Sequence, residues 1–130
     1  MPAIIKNFLE IAKVNISYNL YAKRTFHRRA TKVIKLLAKE FGYTEKDYDL
    51  RHNQGGSAVS GEITLHSDTI YVQFAQFGSY ALNFYWRTCN GRKDYTGDRN
   101  IWEKWESLQN LSLLVTKMQQ AVREKKEEIK

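Results

Sequence analysis

The chain has 130 residues, of which 42% are hydrophobic, 13% aromatic and 27% charged, and 21 Lys or Arg against 14 Asp or Glu leave a formal charge of +7. That length holds one core and not two, and the composition excludes disordered, collagen-like and low-complexity chains. The whole chain, 1–130, therefore reads as one basic domain, with 123–130 expected to be a solvated tail of mixed charge.

The amino terminus, Met1 to Glu10, is broken by charge and lacks the apolar run of a secretory signal. From Ala3 to Val14, Ile4, Ile5, Phe8, Leu9 and Ala12 recur at steps of three and four, the spacing of a short amphipathic helix. Asn15 to Leu20 fits either a turn or a short strand. A second helix is predicted from Lys23 to Phe41, where Phe26, Ala30, Val33, Ile34, Leu37, Ala38 and Phe41 form one stripe and Gly42 follows as a stop. The next stretch is acidic and polar, ends at Asn53-Gln54-Gly55-Gly56, and reads as a loop.

Strand-like alternation begins beyond it. Val59, Ile63 and Leu65 share one side; Ile70, Val72 and Phe74 follow after a tight turn at Ser67-Asp68; Leu82, Phe84 and Trp86 follow after Gly78-Ser79. Asn90-Gly91 allows a small extra strand over Arg92 to Tyr95. A final helix, capped by Asp98 or Asn100, is expected to carry the stripe Ile101, Trp105, Leu108, Leu111, Val115, Met118 and Val122. The predicted fold class is α+β: a three-stranded antiparallel meander, with a short fourth strand at most, two amino-terminal helices and a long carboxy-terminal helix on one or both faces.

Charge is unevenly spread. Residues 1–39 hold nine Lys or Arg and one Glu, residues 40–86 net −4, and residues 87–130 net +3. On the second predicted helix Arg28, Lys32, Lys35 and Lys39 fall opposite the apolar stripe with Lys23, Arg24 and Arg29 nearby, and a second group, Arg87, Arg92, Lys93 and Arg99, surrounds a glycine-containing loop; Arg24, Arg28, Lys32, Lys35, Arg92, Lys93 and Arg99 are the candidate contacts. Cations clustered in this way suit phosphates, whose neutralisation releases counterions. On the meander, Tyr71 and Tyr85 point away from the apolar side with Arg87, Gln73 and Thr64, which makes the two tyrosines candidates for stacking on unpaired bases.

Other chemistries find less support. His27, His52 and His66 sit in different elements, no paired-cysteine motif occurs, and no metal site or cofactor is expected. His66 beside Asp68 and Glu62 is the one constellation that fits acid–base work, though polar side chains are ordinary at a strand end. The lone Cys89 excludes an intramolecular disulfide framework and suggests a reducing, cytoplasmic setting; it reads as a buried strand-end residue. Trp86, Trp102 and Trp105 read as core or interface aromatics.

From Lys23 onward the order helix, three strands, helix resembles that of double-stranded-RNA-binding domains. The resemblance implies a basic cluster at the start of the last helix, near Asn100; instead Asp98-Arg99-Asn100-Ile101-Trp102-Glu103-Lys104-Trp105-Glu106 is of mixed charge, so the function does not carry across. The expected function is a small non-enzymatic module that binds nucleic acid through the basic helix and loop, with no membrane partner. The alternative is a regulator or inhibitor that docks on an acidic protein, or a homo-oligomer formed through the carboxy-terminal helix, beside whose stripe Leu113 and Leu114 lie.

Overall fold

The structure of the protein, a computed structural model, describes residues 2–12, 19–53, 61–75, 83–94 and 98–129. Helix α1 spans Ala3–Ala12 and buries Ile5, Phe8, Ile11 and Ala12. Helix α2 spans Leu20–Phe41, beginning three residues before the predicted start because Asn19 caps it, its side chain accepting the Ala22 N–H at 3.0 Å. It ends where the stop signal lies. Gly42 turns into the left-handed region at φ 106°, so that its N–H and that of Tyr43 reach the Lys39 and Ala38 carbonyls.

Five strands follow: β1 Tyr48–Asn53, β2 Glu62–Ser67, β3 Ile70–Ala75, β4 Asn83–Thr88 and β5 Ile101–Lys104, all antiparallel and paired in chain order. A 3-10 turn, Trp105–Asn110, then leads into α3, Leu111–Ile129. The expected α+β class holds, but the sheet is larger than the expected three or four strands. Two strands were hidden from pattern reading for opposite reasons. In β1 the alternation Tyr48, Leu50, His52 against Asp49, Arg51, Asn53 has few apolar members, as suits a charged edge strand. In β5 the pattern is inverted, with Glu103 buried and Trp102 exposed, so Ile101 and Trp105 mimic a helical step.

The long final helix therefore starts at Leu111 rather than near Asn100, and neither Asp98 nor Asn100 caps it. Asp98 accepts the Thr88 hydroxyl and pairs with Lys125 at 2.6 Å, while Asn100 accepts from Arg87 at 3.4 Å. Residues 92–94 form a turn, not the small extra strand. The charged end of the chain is the last part of α3 as far as Ile129. The two flanking strands also remove the likeness in element order to double-stranded-RNA-binding domains. The expected end of the first helix and the turn or strand after it over 13–18, the loop at Gln54-Gly55-Gly56, Val59 of the first predicted strand, the turn at Gly78-Ser79 with Leu82, and Tyr95 lie outside the described residues.

The tight turn at Ser67-Asp68 is present. Ser67 Oγ accepts the Ile70 N–H at 3.0 Å and donates to the Ile70 carbonyl at 2.9 Å. All three helices pack on one side of the sheet, against Ile63, Leu65, Val72, Phe74, Phe84 and Trp86. The centre of this core is aromatic: Phe8 stacks on Phe74 at 5.5 Å, and Trp105 meets Phe8, Phe74 and Phe84 at 5.2, 5.2 and 5.3 Å. Helix α1 thus covers the inner face of the sheet and leaves the outer one.

Candidate functional site

Two surfaces carry the residues singled out from the sequence. The first is the solvent side of α2, where Arg24, Arg28, Lys32, Lys35 and Lys39 are all exposed because Phe26, Ala30, Val33, Ile34 and Leu37 turn the other side into the core. Among the described residues none of these five cations lies within ion-pair distance of a carboxylate. Cations elsewhere do: Arg29 pairs with Glu10 at 3.8 Å, Lys117 with Glu103 at 2.9 Å and Lys125 with Asp98 at 2.6 Å.

The loop group divides. Arg92 reaches Asp49 at 3.3 Å and Asp68 at 3.8 Å and also donates to the Lys46 carbonyl, so its charge is engaged, while Lys93 and Arg99 remain exposed. Asp49 belongs to the outer face of the sheet, being aligned with His66 and Tyr71, whereas α2 packs on the inner face. The structure therefore does not bring the basic helix and Arg92 together on one layer.

The second surface is that outer face. The register sets two rows across it, Asp49, His66, Tyr71, Arg87 and Arg51, Thr64, Gln73, Tyr85, Trp102. Its middle is closed by its own side chains: the Arg87 guanidinium lies over the Tyr71 ring at 4.1 Å, and His66 meets the same ring edge-on at 5.2 Å. Burial above all raises the Tyr71 phenol well beyond its ordinary value. Tyr71 is thus a poor stacking platform. Tyr85, half-buried, donates its hydroxyl to Gln73 as Tyr71 does, and its ring lies 4.9 Å from that of Trp102, which is 61% exposed. Of the core and interface alternatives expected for the tryptophans, the structure removes the core for Trp102, whose place out of phase with the predicted helical stripe was the signal for it.

At the opposite end of the rows lies a cavity of about 300 Å³ lined by Arg51, Asn53, Glu62, Thr64, His66 and Tyr71. His66 shares a hydrogen bond of 2.8 Å with Thr64, whereas Asp68 is turned toward Arg92. Burial, with the charges of Arg51 and Arg87 added, holds the His66 imidazole below its ordinary pKa against the opposing pull of Asp49 and the Arg92 backbone. A histidine held neutral in the fold but free to protonate when unfolded makes the unfolded state bind more protons as pH falls below about 6.5, so stability declines in that direction. His66→Gln is expected to flatten the fall of the urea midpoint between about pH 7 and pH 5.5; an unchanged slope would remove His66 as its source.

Cys89 is buried, its thiol donates to the Ser67 carbonyl at 3.4 Å, and burial pushes its pKa up, which suits packing rather than nucleophilic work. Among the described residues no three His, Cys, Asp or Glu side chains gather as metal ligands, and no helix is long and apolar enough to cross a membrane. No protein-family model, curated protein or solved structure matches the chain.

Proposed function

We propose that the protein is a non-enzymatic module that binds nucleic acid through the exposed face of α2, with Arg24, Arg28, Lys32 and Lys35 contacting phosphates and Lys39 extending the row. One observation carries this reading: five successive cations on one helix face are without carboxylate partners among the described residues, although acidic residues hold other cations of the chain. From Arg24 to Lys39 the row covers about 22 Å at 1.5 Å per residue, enough to follow several phosphates of one backbone. Lys93 and Arg99 can add long-range attraction; Arg92 is assigned a structural part instead, because Asp49 and Asp68 share its charge.

Titration of the whole chain with labelled duplex and single-stranded nucleic acid at about 50 and 200 mM salt tests the proposal. Affinity is expected to fall steeply, with a log–log slope of about −2.7 to −4.5 on duplex, as three to five neutralised phosphates require. The triple variant Arg28→Glu, Lys32→Glu, Lys35→Glu is expected to keep its far-ultraviolet spectrum, since all three side chains are exposed, and to lose at least about a hundredfold in affinity. Absence of binding at the lower salt, or equal binding by the variant, would sink the proposal.

A further inference from the structure

The outer face of the sheet has two accessible ends joined by a rigid middle. One row, Arg51, Thr64, Gln73, Tyr85, Trp102, crosses all five strands in register, a span of about 19 Å at some 4.8 Å per strand. Trp102 stands at one end of it. Its indole is largely in solvent, yet its position is set by the neighbouring Tyr85 ring, and Tyr85 is in turn held by Gln73, whose carbonyl oxygen also receives the Tyr71 hydroxyl. The other two tryptophans, Trp86 and Trp105, are fully buried, so folding alone accounts for them and does not account for Trp102.

At the other end the cavity presents a guanidinium, an amide, a carboxylate and a hydroxyl from Arg51, Asn53, Glu62 and Thr64, a mixture of donors and acceptors suited to the edges of a heteroaromatic base. The charge of the face matches a phosphate backbone. Lys104 shares the side of Trp102 and Arg51 stands in its row, while Arg87 is closed over Tyr71; of the three carboxylates on these strands, Asp49 is paired with Arg92, Glu103 is buried on the inner side, and Glu62 lines the cavity. A large aromatic in solvent, a fixed second ring beside it and flanking cations are what binds unpaired bases with little regard to sequence.

We infer that this face binds single-stranded nucleic acid, one unpaired base stacking on Trp102 beside Tyr85 and the strand running across the sheet toward the Arg51 and Glu62 cavity. The inference rests on the nucleic-acid reading above and gives it a second contact surface, on the opposite layer from α2. Duplex, whose bases are already stacked, then engages the helix row alone. Single strands engage both surfaces.

Because Trp86 and Trp105 are buried, quenching of intrinsic fluorescence by an added single strand reports on Trp102. Single-stranded oligonucleotides are expected to quench the whole chain, duplex to leave it nearly unchanged, and Trp102→Phe to abolish the quench. Trp102→Ala is expected to weaken single-strand binding about tenfold while duplex affinity and its salt slope stay the same. Single strands that bind the Ala variant as tightly as the parent, with no quench in the parent, would overturn the inference while leaving the α2 proposal standing. If no nucleic acid binds at all, both fall together. A concentration-dependent dimer that Trp102→Ala dissolves, with nucleic-acid binding unaltered, would overturn it too, since a second copy would then be the occupant of this face.

Discussion

Trp105→Ala is expected to lower stability by about 3–5 kcal/mol, the largest loss from any single truncation considered for this chain. Trp105 opens the 3-10 turn between β5 and α3, is fully buried, and touches three rings that belong to three other elements: Phe8 of α1, Phe74 of β3 and Phe84 of β4. Removing the indole leaves a void whose walls come from the sheet and α1 together, and such walls relax little because each is held by its own backbone pairing. For a domain of ordinary stability, about 5–15 kcal/mol, that is a large part of the total. The thermal midpoint is expected to drop by roughly 10–20 °C in a calorimetric scan. A drop of less than about 3 °C would mean that the aromatic cluster is not the centre of the core.

Glu103→Ala is the second. Glu103 is buried on the inner side of β5, where its carboxylate accepts the Trp86 indole N–H at 3.0 Å and both oxygens accept from Lys117 of α3, at 3.1 and 2.9 Å. It thereby ties the edge strand to its neighbour and to the last helix. Truncation leaves a buried indole N–H without its acceptor and a lysine without its counter-charge, with an expected cost of about 2–3 kcal/mol. Lys117→Ala should cost somewhat less, about 1–2 kcal/mol: it leaves a buried carboxylate without its counter-charge, but Trp86 still donates to that carboxylate and water can reach the half-exposed place of the ammonium. Glu103→Gln, which keeps an acceptor for Trp86, should fall between the two. Urea midpoints for the three variants check the order; equal losses from Glu103→Ala and Lys117→Ala would show the ion pair to be the whole interaction.

These two residues mark where pattern reading and the structure part. The helical stripe placed Trp105 correctly among the buried residues but in the wrong element, and no periodicity could place Glu103 in the core, since a buried carboxylate is tolerated only when partners distant in sequence receive it. Trp86 and Lys117 are those partners, 17 and 14 residues away. Edge strand β1 carries no strand-like apolar pattern because its outer residues are charged or polar and one inner residue is a histidine; its pairing with β2 makes it a strand.

The amino-acid sequence by itself determined the local elements whose own residues decide them: α1 and α2 from their apolar periodicity, the stop at Gly42, the turn at Ser67, and the inward alternation of the three central strands. It also determined that cations gather on one side of α2, because that side is what remains once the apolar stripe is buried. Tertiary structure decided the rest. Arg92 is drawn to Asp49 and Asp68 and away from the helix row, Tyr71 is closed beneath Arg87, and Trp102 is left in solvent on the edge strand. Each of these outcomes depends on which strands become neighbours. That choice is set by pairing and packing between residues far apart in the chain, which a pattern within any one segment does not contain.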